Sequence, residues 1–123
     1  MQLSQEIIDI LLDSENKAFA TTGKDRINVV PVSTMYIIDG KIWLINYFFK
    51  KTLENILEEP RAALVCWKGF CGYQIKGQVE YIENGVLFEK AKEMVFQKLP
   101  DRIVKGLLIL KPEEVYNISP GAN

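Results

Sequence analysis

The sequence predicts a mainly β fold, a small closed or partly closed antiparallel β-barrel with short peripheral helices. Three observations carry that expectation. Runs rich in valine, isoleucine and aromatic residues follow one another across turn signals, with few stretches of helical period between them. Asp39-Gly40 lies between two such runs, and that dipeptide favours the two-residue turn of a β-hairpin. Strand–helix alternation of the doubly wound kind is missing, as are GxGxxG and GxxxxGK motifs.

Ser4 supplies a helix N-cap. Ile7, Ile8, Leu11 and Leu12 follow as an apolar face, with Glu6 and Asp9 near the positive end. Residues 13–16 read as the exit, 17–22 as a short strand, and Gly23, Lys24 and Asp25 as a tight turn. Residues 27–38 read as a strand interrupted at Pro31, whose missing N–H predicts an edge or bulge there. Residues 41–48 return from the hairpin. Residues 51–59 read as a helix with Leu53, Ile56 and Leu57 on one face, stopped by Pro60. A strand over 62–67, a glycine-bearing loop over 68–72 and a strand over 73–82 follow. Asn84-Gly85 turns into a helix over 86–99, with Leu87, Ala91, Met94, Val95 and Leu99 facing the core. Residues 106–110 form a strand, which Pro112, Glu113 and Glu114 break before 115–118 continues it. No linker, repeat or low-complexity tract divides the chain, so one domain over residues 1–123 is expected.

Composition removes several function classes. Histidine is absent, which excludes histidine-ligated zinc, a Ser-His-Asp triad and a catalytic imidazole. Fifteen basic against sixteen acidic side chains leave a formal charge of -1, with no support for a nucleic-acid protein. Cys66 and Cys71 are too few for a disulfide scaffold or a four-cysteine metal site, and two free thiols in a reducing compartment are expected. The N-terminus shows no basic segment followed by an apolar run, and no stretch reaches roughly 18 apolar residues. A cytoplasmic location follows as the expectation.

The strongest functional signal is KIWLINYFFKKTLENIL, residues 41–57. An apolar strand runs into Lys50, Lys51 and Thr52, where a short helix begins. A helix N-terminus carries unpaired N–H groups and partial positive charge, so two lysines there are unfavourable unless an anion joins them. With the Thr52 hydroxyl they form a candidate phosphate seat. Ser33 and Thr34, small hydroxyls in an apolar strand beside Pro31, are candidate cofactor contacts or satisfy the strand backbone. Asn46 is either a turn residue or a cofactor contact.

The chain resembles the pyridoxamine 5'-phosphate oxidase-like FMN-binding split-barrel flavoproteins, above all the small stand-alone FMN-binding proteins. The resemblance rests on AFATTG at 18–23, NVVPVSTMY at 28–36, Asp39-Gly40, Lys51-Thr52 with Asn55, RAALV at 61–65, GYQIKG at 72–77 and PEEVY at 112–116. It implies an antiparallel, Greek-key-like split β-barrel and a homodimer with FMN in the groove between subunits. On that likeness Pro31, Val32, Ser33 and Thr34 run beside the flavin ring and ribityl chain. Ile45 and Asn46 line the cofactor from the next strand, and Lys50, Lys51 and Thr52 hold its phosphate. The partner subunit completes the pocket from around Cys71 to Tyr73. Phe48 and Phe49 replace the small residues common before the family's lysine. The absence of histidine argues against vitamin B6 oxidation.

The implied function is an FMN-dependent oxidoreductase passing hydride or electrons from a donor such as NAD(P)H to an acceptor. No metal is called for, and neither nucleic acid nor a membrane is an expected partner. The alternatives are a non-catalytic flavin storage or sensing protein and a cofactor-free interaction barrel. A deazaflavin in place of FMN is a further variant of the same likeness.

Overall fold

The computed structural model describes residues 1–24 and 26–122. The elements are α1 (Gln5–Asp13), β1 (Asn16–Gly23), β2 (Arg26–Pro31), β3 (Met35–Ile38), β4 (Lys41–Asn46), α2 (Lys51–Glu58), β5 (Arg61–Lys68), β6 (Cys71–Ile82), α3 (Val86–Lys98) and β7 (Gly106–Asn117). The expected mainly β class is observed. All strand pairs are antiparallel, in the order β2-β1-β5-β6-β7-β4-β3.

That order forces the sheet to curl. β2 and β3 are its two edges, and seven strands laid flat at about 4.8 Å spacing would hold them about 29 Å apart. Only Val32, Ser33 and Thr34 join Pro31 to Met35, a link that reaches at most about 15 Å. The edges therefore approach each other, and the sheet is a barrel split along the β2/β3 seam. The run over 27–38 is thus two strands on opposite edges, and the perturbation expected at Pro31 is the crossing point.

Side-chain alternation fills two layers. Ile42 and Leu44 of β4 join Phe19, Leu64, Ile75, Leu108 and Leu110 in the main core. Trp43 and Ile45, on the other face of β4, meet Leu107, Ile109, Phe88, Ala91 and Val95 under α3. β4 is therefore apolar on both faces, unlike a half-exposed strand. Ser4 caps α1, its Oγ accepting from the Ile7 N–H at 3.2 Å. Asp39 and Gly40 have φ of 53° and 75°, the left-handed pair of a type I′ hairpin.

Several boundaries and faces differ from expectation. α2 buries Thr52, Asn55 and Ile56 while Leu57 is exposed, because the helix packs on polar groups of β1 and β2. In α3 the larger Phe88 takes the core position and Leu87 is exposed. The loop expected over 68–72 is a two-residue turn at Gly69-Phe70, since Lys68 pairs with Cys71. β7 runs through Pro112 unbroken. Lys76 pairs with Glu114 and Gly77 with Pro112, so Glu113 is absorbed as a bulge. Of the expected 23–25 turn, Asp25 lies outside the described residues.

Candidate functional site

The seam and the tip of α2 are joined by side-chain bonds. Asn28 Nδ2 on β2 donates to Thr52 Oγ1 at 2.8 Å. Asn55 Nδ2 donates to Thr21 Oγ1 on β1 at 3.1 Å, and both residues are buried. Arg26 meets Glu54 and Glu58 at 3.3 and 3.1 Å, exposed pairs worth under about 1 kcal/mol each. α2 is thus pinned across β1 and β2 mainly by buried polar bonds, which fix direction as well as distance.

At the tip, Lys50 is the N-cap residue and makes no side-chain cap bond. Lys50 and Lys51 are exposed, and among the described residues neither lies within 4.0 Å of a carboxylate. Positive charge therefore stands against the positive end of a helix whose one first-turn carboxylate, Glu54, is paired with Arg26 instead. This local arrangement fits a phosphate. The Thr52 hydroxyl is not open at the tip: the residue is 1% exposed and lies under Asn28.

The crossing loop carries the ring-side candidates. Pro31 is exposed at the end of β2, and the Val32 N–H donates to the Lys17 carbonyl at 3.0 Å. Ser33 is exposed, and its Oγ accepts from Arg102 Nη1 at 3.1 Å. Thr34 is buried and shares a 2.9 Å hydrogen bond with the Tyr47 hydroxyl. Asn46 is buried and committed within the protein. Its Oδ1 accepts from the Phe49 N–H at 2.7 Å, and its Nδ2 donates to the Tyr81 hydroxyl at 3.0 Å. Burial holds the Tyr81 phenol above its usual pKa, against the Asn46 hydrogen bond, so it stays protonated in its role as acceptor. Ile45 packs under α3 and is not brought to the others. Asn46 therefore shapes the turn from β4 to α2.

The thiols divide sharply. Cys66 is buried and Cys71 exposed. Burial pushes the Cys66 thiol up to about 12, with Lys17 pulling weakly the other way. A thiol reagent is expected to label one cysteine in the native protein and two after unfolding. The protonated Cys66 contributes stability that is full below about pH 9 and fades as the pH rises towards 12. Two equivalents of rapid native labelling would contradict this.

Comparison with known proteins adds the identity. The sequence family described as pyridoxamine 5'-phosphate oxidase matches residues 3–119. The chain belongs to this family. A curated relative in the same size range, the uncharacterized protein MJ0282 of Methanocaldococcus jannaschii, is 33% identical over 128 residues, covering 98% of this chain and 84% of that one. HupZ of Group A Streptococcus superposes with a TM-score of 0.87 at 21% identity, covering 99% of this chain and 98% of HupZ. An FMN-binding protein from Syntrophomonas wolfei gives a TM-score of 0.77 at 14% identity over 93% of this chain and 89% of its own. These two structures share the fold. Like them in architecture, this pyridoxamine 5'-phosphate oxidase family member is a split barrel. Among the described residues no helix is long and apolar enough to cross a membrane.

Sequence reasoning gave no individual role to Asn28, Tyr47, Arg102 or Lys105. Asn28 carried a signal, a polar residue among valines and isoleucine. The other three acquire meaning only from contacts across the fold.

Proposed function

We propose that this chain is an FMN-binding flavoprotein and that it works as an oxidoreductase between a reduced donor, such as NAD(P)H, and an acceptor. The carrying observation is the tip of α2, which no side chain caps, with Lys50 and Lys51 against it and the first-turn carboxylate, Glu54, paired to Arg26 rather than to them. Family membership and the fold shared with a protein named as FMN-binding support the choice of phosphate. Lys50, Lys51 and the first-turn N–H groups hold the phosphate. Pro31, Val32, Ser33 and Thr34 run along the ring side, with Thr34 and Tyr47 stiffening the loop. Thr52 and Asn46 support the tip and the turn from beneath. FMN supplies the hydride and electron chemistry, and the protein supplies seat and orientation. The test is the absorption spectrum of the purified protein with identification of the released ligand. A flavin spectrum and released FMN are expected. A colourless protein that takes up no added FMN would overturn the reading.

The groove needs a second copy, and one face suits it. Val29, Ala20 and Ala63 lie in register across β2, β1 and β5, and Pro31, Ala18 and Val65 form the next row. Val29 is 61% and Ile27 85% exposed, so this face presents small and apolar groups to water. We expect light scattering to give about twice the 14.1 kDa chain mass. Ala63→Arg, which sets a charge in the middle of the face, is expected to yield monomer and to weaken FMN binding. A monomer that binds FMN at full affinity would contradict the shared groove.

A further inference from the structure

A second pair of cations lies on the segment between α3 and β7. Backbone bonds fix it: the Arg102 N–H donates to the Leu99 carbonyl at 3.1 Å and the Lys105 N–H to the Asn46 carbonyl at 2.9 Å. Both side chains stack on the exit from β4. The Arg102 guanidinium lies 4.9 Å from the Tyr47 ring centre and the Lys105 ammonium 5.3 Å from that of Phe48. Arg102 also donates to Ser33 Oγ. Among the described residues neither cation lies within 4.0 Å of a carboxylate. Glu89 and Glu93 line a groove with Arg102 without pairing to it.

Stability does not account for this arrangement. Exposed cation–aromatic contacts are worth about 0.5–1 kcal/mol, and Phe48 remains 87% exposed. Recognition does account for it. A guanidinium held by a ring and one hydroxyl keeps further N–H groups for the oxygens of a phosphate. An open phenylalanine beside it is a stacking surface for a base.

We propose that Tyr47, Phe48, Arg102 and Lys105 form a nucleotide-recognition site, in which Arg102 and Lys105 take the phosphate oxygens of a nucleoside diphosphate and Phe48 takes its base. Naming that nucleotide as part of a dinucleotide redox donor rests on the flavin reading, because Arg102 is tethered to Ser33 of the ring-side loop. Nucleotide binding itself does not rest on it.

The test titrates the full chain with adenosine diphosphate, with and without FMN, and titrates FMN separately. Wild type is expected to bind the probe, and Arg102→Ala to weaken it about tenfold or more while FMN affinity stays within about twofold. Arg102→Lys, which keeps the charge without the fork, recovers part of the loss. Ser33→Ala, which removes the tether alone, costs less than Arg102→Ala. Circular dichroism establishes that each variant is folded. No probe binding by wild type at millimolar concentration overturns the proposal. Equal losses of probe and FMN in Arg102→Ala also overturn it, because Arg102 then belongs to the flavin seat. A chain that takes no FMN but binds the probe through Arg102 sinks the flavin reading and leaves this one standing.

Discussion

Replacing Lys51 with alanine is expected to weaken FMN binding about 10- to 100-fold while slightly stabilising the free protein. The two effects have one origin. Lys51 sits in the first turn of α2, where the helix already presents partial positive charge and no side chain caps it. In the free protein the ammonium is repelled by that end, so its removal is worth about 0.3–1 kcal/mol in favour of folding. With a phosphate present the same charge makes a charge-assisted bond worth about 1.5–3 kcal/mol, which is the expected loss of affinity. Riboflavin, which lacks the phosphate, separates this from general damage. The variant should bind riboflavin as wild type does, and the preference for FMN over riboflavin should collapse. Equal loss of both flavins, or unchanged FMN affinity, would remove Lys51 from the phosphate seat. Fluorescence quenching of each flavin, with thermal unfolding of the free proteins, reads all of these quantities.

Legibility in the sequence followed the range of the interaction. The Ser4 cap and the Asp39-Gly40 turn were readable because each is decided within a few residues. Lys50 and Lys51 were readable for the same reason, since a helix start and its charge conflict are local. Pro31 announced a perturbed strand, but not that its two halves lie on opposite edges of the sheet, because strand order is set by pairings far along the chain. Pro112 was misread as a break because the bulge at Glu113 exists only in register with Gly77. Leu57 and Leu87 were misplaced because an apolar periodic stripe does not say what the helix meets. α2 meets Thr21 and Asn28, so Thr52 and Asn55 share its buried face with Ile56. Arg102 reads as an ordinary loop cation until the fold sets it against Ser33, 69 residues earlier.

Gly23→Ala is expected to destabilise the protein by roughly 2–3 kcal/mol, and Asn55 is the reason. Gly23 ends β1 where α2 crosses it, and a Cβ added there would run into the Asn55 side-chain amide. No left-handed backbone is involved at Gly23, so the cost is purely one of space. The amide cannot simply step aside, because Asn55 is fully buried and its Nδ2 is held by Thr21. Relief by moving α2 would also displace Lys50 and Lys51, so FMN affinity should fall with stability. Asn55→Ala alone leaves Thr21 without its donor and opens a void, at about 2 kcal/mol. Together the two changes should cost clearly less than their sum, because the second removes the group that the first collides with. A denaturant-unfolding cycle over the four proteins measures that coupling. Simple additivity would mean that β1 and α2 separate without resistance at this crossing, and that the helix tip is not held in place by the packing beneath it.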